Sequence, residues 1–138
     1  MISVLLADDH AFVRDALRLL LETAGDIQLV ATAANGKEAV AQAVLYCPAV
    51  AVMDISMPIM NGIEATRQIR VDCPQTHVLM VSGHHTAYYV QHCLQAGALG
   101  YMLKDLAGAE LVIAVRSTHQ GNRYFSKQIA GIAKRFIQ

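Results

Sequence analysis

Residues 49–65 read AVAVMDISMPIMNGIEA, in which an apolar run ends in Asp54 and is followed by a short loop. The run is apolar at every position rather than at alternate ones, which is typical of a strand buried on both faces of a parallel sheet. Beyond the loop, Asn61 with Glu64 three residues later resembles a capping box and predicts the start of a helix. The stretch therefore predicts a strand, a loop and a helix, with a carboxylate at the C-terminal end of the strand.

The same pattern recurs on both sides of this stretch. Mostly continuous apolar runs predict five strands, at Ile2–Ala7, Gln28–Ala33, Ala49–Asp54, His77–Ser82 and Leu99–Leu103. Helical signals lie between them. The first predicted helix has an apolar face at the i, i+3, i+4 spacing, formed by Val13, Ala16, Leu17, Leu20 and Leu21.

The remaining helices are predicted from their start and stop signals. The second helix starts at Asn35, with Glu38 three residues later, and the third starts at Asn61. The fourth covers about Thr86–Gln95 and the fifth about Ala107–His119, each with a glycine just beyond its end. Five strand–helix units in succession predict an α/β fold, a (βα)5 doubly wound five-stranded parallel sheet.

The final stretch, Asn122–Gln138, breaks the alternation. It contains helically spaced apolar residues that predict an extra C-terminal helix, namely Ile129, Ile132, Ala133 and Phe136.

Composition excludes several functional classes. The chain has 138 residues, of which 54% are hydrophobic and 16% charged, so it forms one domain with a substantial core. The net charge of +0 gives no general attraction to nucleic acid or to anionic membranes. Three widely spaced cysteines and no CxxC argue against a disulfide framework or a zinc site. The N-terminus lacks the features of a signal peptide, so we expect a cytoplasmic protein.

Polar residues follow four of the five predicted strands. Asp8 and Asp9 follow the first, Asp54 ends the third, Ser82 ends the fourth, and Lys104 follows the fifth. Ligands of doubly wound sheets bind beyond the C-terminal ends of the strands, where these side chains meet. Three crowded carboxylates require a cation, and oxygen ligands of this kind suit Mg²⁺. With Lys104 added, the charges roughly cancel, so the site can accept phosphoryl oxygens and a carboxylate can attack phosphorus.

These residues lie in motifs that resemble the receiver domains of two-component response regulators. The matching segments are ADDH at Ala7–His10, MDISMPIMNGIEA at Met53–Ala65, VSGH at Val81–His84 and GALGYMLKD at Gly97–Asp105. They extend over residues 1 to about 120 in the family's order and spacing. The LKD ending, followed by GNRYFS at Gly121–Ser126, is most similar to the LuxR/NarL/FixJ branch. The resemblance implies a flavodoxin-like, CheY-like fold.

The resemblance also implies roles for individual residues. Asp54 is the phosphoacceptor. Asp9 binds Mg²⁺ directly, Asp8 acts mainly through water, and Asp54 and the backbone carbonyl of Ser56 complete the metal site. Lys104 pairs with a phosphoryl oxygen.

The family's switch residues correspond to Ser82 and Tyr101. The Ser82 hydroxyl turns toward the phosphoryl group, and Tyr101 then turns inward. The surface formed by the fourth helix, the fifth strand and the fifth helix would change in consequence. Ser56 and His84, two residues after Asp54 and Ser82, overlook the phosphoryl group and tune its hydrolysis.

The implied partners are a sensor histidine kinase, which donates the phosphoryl group, and a second copy in a homodimer formed on phosphorylation. DNA would be bound only through a helix-turn-helix domain beyond this chain. Residues 1–120 would then be the receiver domain, and residues 121–138 the start of an interdomain linker helix in a transcriptional regulator. The alternative is a natural single-domain receiver that acts through protein–protein contacts.

Two other functional classes are less well supported. Phosphohydrolases with an aspartate nucleophile usually have a DxD motif, whereas Asp54 is followed by Ile55 and Ser56, so the general acid is missing. We therefore predict a phosphoacceptor rather than an enzyme in its own right. A phosphorylation-independent interaction module would have no use for the intact acidic cluster.

Overall fold

The computed structural model describes residues 1–137 and contains one five-stranded parallel sheet. The strands are β1 (Ile2–Ala7), β2 (Ile27–Ala33), β3 (Val50–Met53), β4 (His77–Ser82) and β5 (Gly100–Leu103). Their order across the sheet is β2-β1-β3-β4-β5. The predicted parallel sheet is confirmed, and β1 and β4 have the predicted bounds. The other strand bounds differ from the prediction by one residue at one or both ends.

Helices cover both faces of the sheet. They are α1 (Ala11–Glu22), α2 (Gly36–Tyr46), α3 (Gly62–Asp72), α4 (Ala87–Ala96), α5 (Ala107–His119) and α6 (Lys127–Ala133). Helices α1 and α5 contact each other on one face, and α2, α3 and α4 pack in sequence on the other. Two apolar clusters result, one on each side of the sheet. Among residues 1–137, no helix combines the length and the apolar character needed to cross a membrane.

Local capping explains where two helices begin. The Asn35 side chain accepts a hydrogen bond from the backbone N–H of Glu38, at 2.9 Å, and the Glu38 carboxylate accepts one from the N–H of Ala34. The Asn61 side chain accepts bonds from the N–H groups of two residues in the first turn of α3. Both predicted caps are confirmed, and both helices start where the strand-end loops finish.

Helix α5 begins without a side-chain cap. A short 3₁₀ turn, Lys104–Leu106, precedes it and joins it directly to β5. This turn keeps Lys104 at the end of β5, so the position of the lysine is set by the strand and by the following helix.

The C-terminal segment packs against the edge of the sheet. Tyr101 of β5 donates its backbone N–H to Tyr124, and its carbonyl accepts the N–H of Ser126. Helix α6 then lies against α4 and β5, with Ile129 and Ala133 fully buried. The predicted extra helix is thus present, and it covers the outer edge of β5.

Ser126 anchors this segment and gives a first prediction. Its hydroxyl oxygen accepts the N–H of Leu103 at 3.0 Å and donates to the Glu110 carboxylate at 2.8 Å, while the residue is 1% exposed. We expect Ser126→Ala to lower the free energy of unfolding by roughly 1–3 kcal/mol, because a buried N–H loses its partner. Urea unfolding followed by circular dichroism measures this change.

The matched control is Ser117→Ala in α5. Ser117 is half-buried, and its hydroxyl makes no hydrogen bond within residues 1–137. We expect a change below about 0.5 kcal/mol there. Equal losses for the two variants would contradict the anchoring role of Ser126.

Candidate functional site

The C-terminal ends of β1 and β3 bring two carboxylates side by side. Asp8 directly follows β1 and Asp54 directly follows β3, and the backbone N–H of Asp54 donates to the carbonyl of Ala7 at 3.0 Å. The chain leaves β1 for one side of the sheet and β3 for the other, so a crevice opens between these strand ends. Both carboxylates are buried, with Asp8 1% and Asp54 6% exposed.

Lys104 lies between these two carboxylates. Its Nζ is 2.9 Å from Asp8 Oδ2 and 3.1 Å from Asp54 Oδ2. The second oxygen of each carboxylate is held locally: Asp54 Oδ1 accepts the N–H of Ile55, and Asp8 Oδ1 accepts the N–H of His10. The orientation of both carboxylates is therefore fixed before any ligand binds.

Burial and neighbouring charge shift two pKa values at this site. Burial raises the pKa of Asp54 and the negative charge of Asp8 adds to the rise, while Lys104 offsets part of it. Burial alone would lower the pKa of Lys104, but its contacts with Asp8 and Asp54 outweigh burial and raise it. The lysine thus stays charged, and Asp54 is a poorly solvated carboxylate.

A second acidic group adjoins the first. Asp8, Asp9 and His10 place one potential ligand atom each within 4.8 Å of one another. Asp9 Oδ1 and Asp8 Oδ2 are buried, and within residues 1–137 neither accepts a well-directed hydrogen bond. The nearest nitrogen atoms to these oxygens are His10 Nδ1, 3.2 Å from Asp9 Oδ1, and Lys104 Nζ, 2.9 Å from Asp8 Oδ2. Buried oxygens that lack a directed donor suit a hard cation.

The loop after Asp54 is wrapped tightly against the site. A Cβ atom at Gly62 would collide with the carbonyl oxygen of Asp54, and one at Gly36 would collide with that of Met60. The N–H of Gly62 donates to the carbonyl of Ile55 at 2.7 Å. Only glycine allows these close approaches, so the loop keeps one path over the strand end.

The loop after β4 forms the other wall, and His84 is its centre. The His84 N–H donates to Ser82 Oγ at 3.0 Å, and the His84 carbonyl accepts the hydroxyl of Tyr101 at 2.6 Å. The imidazole Nε2 lies 3.0 Å from Ser56 Oγ. Tyr101 is fully buried in the inward position, and burial raises the pKa of its hydroxyl, which therefore remains a donor.

The predicted residues thus form two connected groups. Asp8, Asp54 and Lys104 are in direct contact, with Asp9 beside Asp8. Ser82, His84, Tyr101 and Ser56 form the second group, joined to the first because Ser56 lies two residues after Asp54.

Sequence reasoning missed three participants. His10 contacts Asp9, and Arg14 donates to the backbone carbonyl of Asp8 at 2.7 Å. Tyr89 stacks on His84. The position of Arg14 in the sequence indicated a place near the site, because it lies one helical turn after His10. The stacking of Tyr89 left no local signal.

Comparison with known proteins identifies this arrangement. Residues 4–116 match the family model described as the response regulator receiver domain. The chain belongs to this family. Receiver domains are phosphoacceptors, and the acidic group of this one could hold a metal ion.

Curated relatives place this receiver domain among LuxR/NarL-type regulators. It is 37% identical over 121 residues to the transcriptional regulatory protein LnrK of Bacillus subtilis, covering 88% of this chain and 55% of LnrK. It is 39% identical over 128 residues to the response regulator protein VraR of Staphylococcus aureus, covering 93% of this chain and 61% of VraR. The receiver domain therefore spans little more than half the length of these relatives.

Solved structures agree with this placement. A LuxR-family response regulator from Aurantimonas sp. SI85-9A1 superposes with a TM-score of 0.92 at 34% identity, covering 98% of this chain and 96% of that one. The response regulator domain of Thermotoga maritima CheB gives a TM-score of 0.81 at 32% identity, covering 87% and 97%. The CheY-like receiver fold is thereby confirmed.

The raised pKa of Asp54 leads to a stability prediction. Because the pKa is higher in the folded state than in the unfolded chain, the ionised carboxylate costs stability at neutral pH. We expect Asp54→Asn to raise the free energy of unfolding at pH 7 by on the order of 1 kcal/mol. The gain should disappear as the pH falls below the ordinary pKa of 3.8, where the carboxyl group is protonated in both states.

Urea unfolding of both proteins across this pH range measures the difference. Asp15→Asn is the control, since Asp15 is an exposed residue of α1 whose ion pair with Arg18 contributes little. A destabilised Asp54→Asn protein at pH 7 would contradict the electrostatic argument.

Proposed function

We propose that this receiver domain accepts a phosphoryl group on Asp54 from a sensor histidine kinase. The observation that carries the proposal is the Lys104 ammonium held 2.9 Å from Asp8 and 3.1 Å from Asp54. In the transfer, a carboxylate oxygen of Asp54 attacks phosphorus, and the bond from phosphorus to the donor nitrogen breaks. Burial supports the nucleophile, because a poorly solvated carboxylate loses little hydration when it reacts.

The remaining charged residues of the site balance the phosphoryl group. Lys104 pairs with a phosphoryl oxygen. Mg²⁺, when bound, would neutralise the charge that develops on the equatorial oxygens. Asp9, Asp8, Asp54 and the backbone carbonyl of Ser56 would hold it, and the buried oxygens of Asp8 and Asp9 without directed donors fit that role. Asp9 would bind the ion directly and Asp8 mainly through water.

The signal then passes to the surface of α4, β5 and α5. In this structure Ser82 Oγ accepts the backbone N–H of His84. When Ser82 turns toward the phosphoryl group, that N–H must find another partner. Tyr101, for which an inward turn was predicted, is already inward in this structure and is tied to the same residue by its hydrogen bond to the His84 carbonyl. Ser56 and His84 overlook the phosphoryl group and set its rate of hydrolysis. Driving such a two-state change from 1:99 to 99:1 takes about 5.5 kcal/mol of differential stabilisation.

We further propose that the domain is the N-terminal part of a cytoplasmic, DNA-binding transcriptional regulator. The relative LnrK is a transcriptional regulatory protein, and residues 121–138 would begin the linker toward a helix-turn-helix domain. Phosphorylation would promote a homodimer. The alternative remains a natural single-domain receiver that acts through protein–protein contacts.

Acetyl phosphate tests the phosphoacceptor role. With Mg²⁺ present, we expect intact-mass spectrometry to show one added phosphoryl group on the wild type and none on Asp54→Asn. Asp15→Asn, which alters an exposed carboxylate of α1, should be modified like the wild type. Modification of Asp54→Asn, or release of phosphate in many turnovers as in a phosphohydrolase, would contradict the proposal.

Thermal unfolding tests the metal site. At about ten times its dissociation constant, Mg²⁺ should stabilise the wild type by about 1.4 kcal/mol. We expect Asp9→Asn to lose most of this gain, because it removes the direct ligand, and Asp15→Asn to keep it. NaCl at matched ionic strength controls for screening. Equal gains for the wild type and Asp9→Asn would place the ion elsewhere.

A further inference from the structure

His84 makes four contacts, each with a different element of the fold. Its backbone N–H donates to Ser82 Oγ and its carbonyl accepts the Tyr101 hydroxyl. Its Nε2 lies 3.0 Å from Ser56 Oγ in the loop after β3. The fourth contact is with the imidazole face, and Tyr89 of α4 makes it.

The ring of Tyr89 is stacked on the imidazole of His84. The ring centroids are 4.0 Å apart and the planes differ by 20°. Tyr89 is half-buried and packs against the apolar cluster between the sheet and helices α2, α3 and α4, so its ring is anchored from below. Because the anchored Tyr89 ring covers one face of the imidazole, it restricts rotation of the His84 side chain. This restriction directs Nε2 toward Ser56.

The bridge between His84 and Ser56 spans the mouth of the site. Ser56 lies two residues after Asp54, and His84 lies two residues after Ser82, so the bridge joins the two loops that flank Asp54. Within residues 1–137, no other hydrogen bond joins these two loops. Since Nε2 is engaged by Ser56 and one ring face is covered by Tyr89, the imidazole is held in one orientation beside the loop that follows Asp54.

We infer that Tyr89 is a positioning residue that holds His84 against Ser56 and thereby slows hydrolysis of the phosphoryl group on Asp54. The inference rests on the proposed function. In that hydrolysis a water oxygen attacks phosphorus, and the bond between phosphorus and the Asp54 oxygen breaks. The products are the free carboxylate and inorganic phosphate, which keeps both protons of the water. A closed bridge restricts the approach of that water.

The test measures the lifetime of the phosphorylated chain. Each variant is phosphorylated with acetyl phosphate and Mg²⁺, the donor is removed, and the loss of the phosphoryl group is followed by intact-mass spectrometry. We expect Tyr89→Ala and His84→Ala each to shorten the lifetime about fivefold, which corresponds to ~1 kcal/mol, the net value of one hydrogen bond. Tyr89→Phe keeps the stacked ring and should retain the wild-type lifetime.

A double variant separates positioning from a general loss of packing. If Tyr89 acts through His84, the lifetime of His84→Ala/Tyr89→Ala should equal that of either single variant. Tyr88→Ala is the matched control, because Tyr88 is the adjacent residue of α4 and its ring meets that of Tyr89 in a T-shaped contact rather than stacking on His84. Its lifetime should stay within about twofold of the wild type, which is less than the cost of one hydrogen bond.

Proton NMR of the His84 ring gives a second readout. Stacking on Tyr89 should shift the imidazole protons upfield, and Tyr89→Ala should remove the shift while Tyr89→Phe retains it. Three results would each overturn the inference and leave the proposed function standing. They are equal lifetimes for Tyr89→Ala and the wild type, additive effects in the double variant, and a Tyr88→Ala effect as large as that of Tyr89→Ala. Failure of the wild type to form an adduct would overturn the proposed function first.

Discussion

The site depends on one half-buried ammonium group, that of Lys104, placed between two buried carboxylates. Asp8, Asp9 and Asp54 carry three negative charges against the one positive charge of Lys104, which leaves a net charge of −2. Without Lys104, the carboxylates at the ends of β1 and β3 would repel each other in a poorly solvated crevice. The uncompensated charge is that of one divalent cation. A divalent metal ion alone would therefore bring the charge of these four side chains to zero.

The order of the strands explains how Lys104 reaches this position. Strand β5 is separated from β3 by β4, a distance of about 10 Å between strand axes. The 3₁₀ turn that follows β5, Lys104–Leu106, and the long lysine side chain together span it. The sequence alone predicted that Lys104 would lie near the carboxylates, because parallel strands bring their C-terminal ends to one edge of the sheet. The helix starts at Asn35 and Asn61 were predicted from the spacing of each asparagine and the glutamate three residues later, because these caps are local contacts.

The second group of contacts could not be predicted in this way. His84 bonds Ser56 across 28 positions and Tyr101 across 17, and its stack with Tyr89 depends on the angle at which α4 leaves the loop. No periodicity in the sequence encodes that angle. Only part of the α6 structure could be predicted from the sequence. The apolar spacing of Ile129 and Ala133 predicted a helix, whereas its docking beside β5 depends on backbone pairing at the sheet edge.

Strand β5 connects these features physically. The Tyr101 hydroxyl is bound to His84 in the loop that follows Ser82, and the Tyr101 backbone pairs with Tyr124 and Ser126 in the C-terminal segment. An outward turn of this fully buried ring would break a 2.6 Å hydrogen bond and expose apolar surface worth roughly 2 kcal/mol. The ring belongs to the same apolar cluster as Ile129 and Ala133, so its movement would also loosen the packing of α6. A change at Ser82 would therefore reach the C-terminal helix through His84 and Tyr101, because Tyr101 takes part in both sets of bonds.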